Sequence, residues 1–266
     1  LDPTMKIGFF DSGLGGLTVL KAVALQLPNY DYEYFGDTKN VPYGDRSEEE
    51  IYELTKAGVR ELFMRDCALV VIACNTASAE TLRRLQDIFL PEEFPDRRIL
   101  GVIIPTIETV IDSEIQHILL IATRRTIASQ KYEREFAKFE QAPILETAAT
   151  PGLVPLIEAG ETGEALALVF PVIDQFVTDD TKRGLILGCT HYTTLQSGIR
   201  ERYGEQLVIF SQNEIIPAKL EAYLAAHPEI ESTLTRNATR NIFFTKQDAH
   251  YDQVIGVLLG GAFVRD

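Results

Sequence analysis

The chain has 266 residues, 45% hydrophobic and 24% charged, the balance of an ordinary water-soluble fold large enough for one big domain or two modest ones. A formal net charge of −14, from 25 basic and 39 acidic residues, offers no basic stripe for tracking phosphates and argues against nucleic acid as a direct ligand. Three cysteines, none in a C-x-x-C pair, argue against a disulfide framework and a structural zinc site. No apolar run reaches the roughly 18 residues of a membrane span, and Leu1–Thr4 lack the features of a secretory signal. The expectation is a cytoplasmic protein whose native start is Met5, with no membrane partner.

In chain order, Lys6–Phe10 reads as a short apolar strand and Asp11-Ser12-Gly13-Leu14-Gly15-Gly16 as a tight turn. A helix is expected over Leu17–Leu27, stopped by Pro28, then a strand over Tyr32–Phe35. After the turn Val41-Pro42-Tyr43-Gly44-Asp45, Ser47 and Glu50 have the spacing of a capping box for a helix to about Arg65. Ala68–Ala73 is an unbroken apolar strand that ends at Cys74, and a helix follows from Ala77 to about Phe89. Pro91–Arg98 reads as a hinge and Ile99–Ile104 as the next strand.

A second alternating run follows. Strands are expected at His117–Ala122, Ile144–Thr147, Gly184–Leu187, Leu207–Phe210 and Asn241–Thr245. Helices are expected from Ile127 to about Phe139, and over Glu164–Thr178, Leu195–Tyr203, Glu214–Ala226 and Tyr251–Phe263. Strands alternating with helices predict α/β architecture with mainly parallel sheets covered on both faces.

One device occurs twice. ALVVIACNTAS (68–78) and GLILGCTHYTT (184–194) each run an apolar strand into a cysteine and then into small polar residues that open a helix. Carboxyl ends of strands in open α/β sheets are where ligands sit. A thiol at a helix N-terminus is expected to have its pKa lowered toward neutrality, where it exchanges protons. A nucleophilic thiol enzyme needs one such group; two on opposite walls of a cleft suit removal of a proton from one face of a carbon and delivery to the other. Cys74 and Cys189 are therefore the candidate acid/base pair, and Cys67 is expected to be inert packing.

Around them, Asp11 and Ser12 supply a carboxylate and a hydroxyl at a strand end, against the alternative of a simple Asx or capping turn. Pro42-Tyr43-Gly44 offers backbone N–H groups to a carboxylate. Asn75, Thr76, Thr123, Thr126 and Thr190 add neutral donors at helix starts, and His191 stands two residues from Cys189. His117, His227 and His250 read as structural. The glycine turn has Thr18 where G-x-G-x-x-G needs its last glycine and lacks Gly-Lys-Ser/Thr, so a dinucleotide or P-loop site is poorly supported. No spacing of His, Asp and Glu predicts a metal site.

Together FDSGLGGLTVL (10–20), YFGDTKNVPYG (34–44), VIACNTAS (71–78), LVPLIE (153–158) and ILGCTHY (186–192) make the chain resemble the cofactor-independent aspartate/glutamate racemase family, glutamate racemases in particular. The resemblance implies two pseudo-symmetric three-layer α/β domains, the first (1–98 plus 207–266) completed by the C-terminal segment around a second (99–206), with the active site in the cleft between them. It implies Cys74 acting on D-glutamate and Cys189 on L-glutamate, assisted by Asp11, His191 and Glu158. Asp11, Ser12, Pro42, Tyr43, Gly44, Asn75, Thr76, Thr123, Thr126, Thr190 and His191 would contact substrate. It also implies a role in peptidoglycan synthesis with L- or D-glutamate as substrate and no cofactor; a homodimer is one candidate assembly.

Three stretches depart from the family pattern. Thr193 stands where Pro is common, and Thr150-Pro151 where Cys-Pro is common. Ala122-Thr123-Arg124-Arg125-Thr126 replaces Gly-Thr-x-Gly-Thr, which brings two cations near the expected cleft. Alternatives in play are an aspartate or related racemase, a two-domain protein that binds an acidic ligand without turning it over, and a nucleotide-dependent oxidoreductase.

Overall fold

A computed structural model describes residues 3–248 and Tyr251. The strands are β1 (Lys6–Asp11), β2 (Tyr32–Gly36), β3 (Cys67–Ile72), β4 (Arg98–Gly101), β5 (His117–Ala122), β6 (Ile144–Ala149), β7 (Arg183–Gly188), β8 (Leu207–Phe210) and β9 (Arg240–Phe244). The helices of the first part are α1 (Leu17–Gln26), α2 (Glu48–Met64), α3 (Asn75–Arg84), α4 (Leu90–Glu93) and α5 (Ile103–Asp112). Then come α6 (Arg124–Ala128), α7 (Lys131–Phe136), α8 (Leu153–Glu158), α9 (Thr162–Phe176), α10 (Gln196–Tyr203), α11 (Gln212–Ala226) and α12 (Pro228–Glu231).

The strands form two parallel sheets, in the orders β4-β3-β1-β2-β9 and β6-β5-β7-β8. Alternation along each strand explains the layers. Ile7, Phe9, Leu69 and Val71 face α1 and α11, whereas Phe10, Val70 and Ile72 face α2 and α3. In the second sheet Leu119, Ile121, Leu185 and Leu187 face α9 and α10, and Ile118, Leu120 and Ile186 face α5 and α7. Each sheet is thus covered on both sides, which is why its central strands read as continuous apolar runs.

Both sheets reverse their direction of growth beside their first strand, between β1 and β3 and between β5 and β7. The carboxyl ends flanking such a reversal leave a crevice. Register places Phe10 beside Ile72 and Ala122 beside Gly188. Asp11 and Cys74 therefore emerge on one crevice, and Thr123 and Cys189 on the other.

Several sequence expectations change. The expected strand Ile99–Ile104 ends at Gly101, and Ile103 begins α5. β4 belongs to the first sheet and β8 to the second, so the sheets do not divide at 98/99 and 206/207. The crossover through α3 and α4 returns the chain beside β3, and passage between sheets occurs in α5 and α11, not in the Pro91–Arg98 hinge. Pro91 sits in the first turn of α4, which follows without a break from a π-helical turn at Leu85–Phe89. The single helix expected from Ile127 to Phe139 is two short ones, broken where Gln130 adopts φ 50°. The capping box of Ser47 and Glu50 forms as expected. The expected helix Tyr251–Phe263 falls, beyond Tyr251, outside the described residues, as does His250.

Candidate active site

On the first wall, Cys74 is the N-cap of α3, which begins two residues earlier than the sequence predicts. Its Sγ accepts from the Ala77 amide at 3.5 Å and lies 3.4 Å from Ser12 Oγ. Asp11 is fully buried behind this pair, and its carboxylate accepts from the Gly13 amide at 3.1 Å and from Thr190 Oγ1, across the domain boundary, at 3.3 Å. The glycine turn makes that approach possible. A Cβ on Gly15 would stand 2.4 Å from Thr190 Oγ1 and 2.9 Å from the His191 amide. The turn that fails as a nucleotide motif thus serves close contact between domains.

On the second wall, Cys189 precedes a 3₁₀ turn, Thr190–Leu195, with no side-chain capping bond. Its Sγ lies 3.7 Å from His191 Nδ1, and the other ring nitrogen lies 3.0 Å from Glu158 Oε1 at the end of α8. The tie fixes the ring plane and directs one nitrogen at the sulfur.

Both thiols line one cavity of about 200 Å³. Drug-sized sites run to roughly 300–1,000 Å³, so this space fits a small metabolite. Its lining includes Ser12, Pro42, Tyr43, Gly44, Asn75, Thr76, Thr123, Glu158, Thr190 and His191. A larger cavity of about 300 Å³ between α3, α5 and α11 holds none of the residues singled out in the sequence. The walls are tied at the rim by Thr76 Oγ1, which lies 3.0 Å from Thr123 Oγ1 and 3.1 Å from Thr126 Oγ1. Tyr43 is held in place by donating to Asp37 Oδ2 at 2.7 Å, after a cis Val41–Pro42 bond.

The electrostatics depart from expectation. Burial, then the Asp11 carboxylate, push the Cys74 thiol up to about 12, against the helping bonds from Ser12 and Ala77. The helix N-terminus offers only about half a positive charge, and desolvation outweighs it. Cys74 is a neutral thiol at pH 7, not the lowered one expected. Burial also raises Asp11, opposed by the charge of His191. For His191, burial disfavours charge, but its bonds to Cys189 and Glu158 win and hold it well above the usual imidazole range.

Of the eleven residues expected to contact substrate, nine line the cavity. Asp11 and Thr126 lie outside the cavity lining: Asp11 is fully buried behind Ser12 and Cys74, and the Thr126 hydroxyl is turned to the hydroxyls of Thr76 and Thr123. Conversely, Arg124, Thr150, Pro151, Val154, Pro155 and Tyr192 line the cavity without having been named as contacts. Thr150 Oγ1 and Tyr192 OH pair at 2.8 Å. Among the described residues no cluster of His, Cys, Asp and Glu has the arrangement of a metal site.

Residues 19–214 match the Asp/Glu/hydantoin racemase family. The chain belongs to that family. It is 39% identical over 238 residues to the glutamate racemase of Paracoccus denitrificans, covering 85% of this chain and 87% of that one. Among solved structures, it resembles glutamate racemase isoform RacE1 of Bacillus anthracis with a TM-score of 0.87 and 30% identity, over 99% of this chain and 97% of that one. It also resembles the Francisella tularensis glutamate racemase crystallised with D-glutamate, TM-score 0.83 and 25% identity, over 98% and 95% of the two chains. As a member of this racemase family the chain is an isomerase acting on amino acids, and these relatives support glutamate racemisation.

Proposed function

We propose that the protein interconverts L- and D-glutamate by a cofactor-independent two-thiol mechanism. The observation that carries the reading is that Cys74 and Cys189, from different sheets, line the same small cavity. The neutral donors of Asn75, Thr76, Thr123 and Thr190 and the amides near Tyr43 and Gly44 suit two carboxylates. In the L-to-D direction Cys189, against the charged His191, takes the Cα proton. The negative charge that develops on the carboxylate is met by those donors. Cys74, a thiol at neutral pH, delivers its own proton to the opposite face. The balance is one proton gained by Cys189 and one lost by Cys74; the reverse direction restores both. Bacterial relatives of this class support a role in supplying D-glutamate for peptidoglycan.

Incubation with L-glutamate in D₂O and no added cofactor should give D-glutamate carrying deuterium at Cα. A panel including aspartate tests the substrate assignment. Tight glutamate binding without isotope exchange would refute the catalytic reading.

A further inference from the structure

The amide of Asn75 has a definite polarity in this site, and residues from beyond its own domain set it. Asn75 is the first residue of α3, only 2% exposed, on the cavity wall beside Cys74. Its Oδ1 accepts from Tyr132 OH at 2.8 Å and lies 3.5 Å from Gln212 Nε2. Its Nδ2 is buried and has no hydrogen-bond partner among the described residues. Tyr132, on α7 of the second sheet's helical layer, and Gln212, opening the interdomain helix α11, are both fully buried.

The hydroxyl decides the polarity. Among the described residues the Tyr132 hydroxyl has one hydrogen-bond partner, Asn75 Oδ1. Burial raises Tyr132 above the usual phenol range, so its proton stays on and must be donated. A buried hydroxyl without an acceptor costs about 1–3 kcal/mol, which disfavours the flipped amide. With Oδ1 turned toward Tyr132, the two N–H bonds of Nδ2 are left for an anion in the cavity.

We propose that Tyr132, helped by Gln212, is a positioning residue that orients the Asn75 amide so that its NH₂ receives a substrate carboxylate. This rests on the glutamate racemase reading above and extends it: the carboxylate receptor of the first domain is completed by side chains from the other side of the cleft. Docking of the domains and readiness for an anion are thereby linked through one amide.

The test is a double-mutant cycle read by calorimetric binding of D-glutamate and by kcat and KM. Tyr132→Phe should weaken D-glutamate binding and raise KM about 10-fold, with a much smaller change in kcat. In an Asn75→Ala background the same substitution should change binding less than about 2-fold, because the amide it orients is gone. Gln212→Leu, with its longer contact, should weaken binding about 3-fold and be silent in the same background. Equal losses with and without Asn75, or unchanged binding in Tyr132→Phe with native thermal stability, would overturn the assignment. If Tyr132→Phe does not fold, the Gln212 arm decides alone by the same criterion. A wild-type protein that neither binds nor racemises glutamate would instead refute the functional reading.

Discussion

The two thiol walls start from the same device and end differently. Cys74 caps a ten-residue α-helix and contacts an amide and a hydroxyl, with a buried carboxylate behind. Cys189 only precedes a 3₁₀ turn, with no capping bond, and contacts an imidazole that is tied to a second carboxylate. The first environment keeps a proton on sulfur, and the second places a cation beside it. In the reaction proposed above, a symmetric exchange of protons would start from asymmetric states. On that proposal, repeating a strand-end thiol supplies the geometry, while the neighbours would assign which sulfur gives and which receives first.

Replacing either sulfur should have the largest effect. Cys74→Ser and Cys189→Ser should each lower racemisation by about 10³-fold, within the range expected for a general acid or base. Circular dichroism of the glutamate solution measures this in both directions. Retained turnover in either variant would break the comparison, since one wall would then suffice.

Removing the carboxylate of the second wall comes next. Glu158→Gln should reduce kcat about 10- to 100-fold and leave Cys74 untouched. It also carries a sign. The Glu158 bond helps hold His191 above its ordinary pKa, so loss of that carboxylate lowers the histidine's pKa. A reaction that needs charged His191 fails as pH rises through that value, so the alkaline limb of the kcat profile should move to lower pH in the variant. A shift to higher pH would contradict the role given to the imidazolium. On the first wall, Ser12→Ala removes only a 3.4 Å contact to sulfur and should cost about 10-fold. Its effect on the pH profile should be distinct from that of Glu158→Gln, because Ser12 does not titrate.

What was legible in the sequence follows from these physical differences. Strand ends with thiols are local signals: CALVVI and RGLILG are buried along their whole length, and the residue after such a run stands at a sheet's carboxyl edge. Cys74, Cys189, His191 and the threonines could therefore be named from spacing, and Glu158 from family resemblance. The thiol pKa could not be, because desolvation depends on what closes over the sulfur, and Asp11 is near it only after β1 and β3 pair. Tyr132 was invisible for another reason: its ring belongs to the apolar layer with Ile107 and Phe136, and only its hydroxyl does polar work. Strands β4 and β8 were recognised as strands, but which sheet each joins is a property of crossover paths that composition does not encode.

The smallest expected effect concerns how the walls are held together. Arg125 stands at a position where the family pattern has glycine, and it clasps the opposite domain. Its Nε lies 2.7 Å from Glu80 Oε1 on α3, Nη2 donates to Glu80 Oε2 at 3.1 Å, and Nη2 lies 3.6 Å from Glu48 Oε2 on α2. The Glu80 side chain is only 6% exposed, so Arg125→Gly leaves a nearly buried carboxylate without its cation. The guanidinium itself keeps some solvent contact, which limits the clasp to about 1 kcal/mol, or roughly 5-fold in an equilibrium. Arg125→Gly should therefore raise KM about 5-fold with little change in kcat, because the thiols and their neighbours are unaltered. The wild-type KM should climb with ionic strength and the variant's should not. Adding Glu80→Gln should recover thermal stability by removing the stranded charge, but not KM, since the tie between walls stays broken. Recovery of KM as well would mean that the buried charge, and not the lost clasp, was disturbing the cleft.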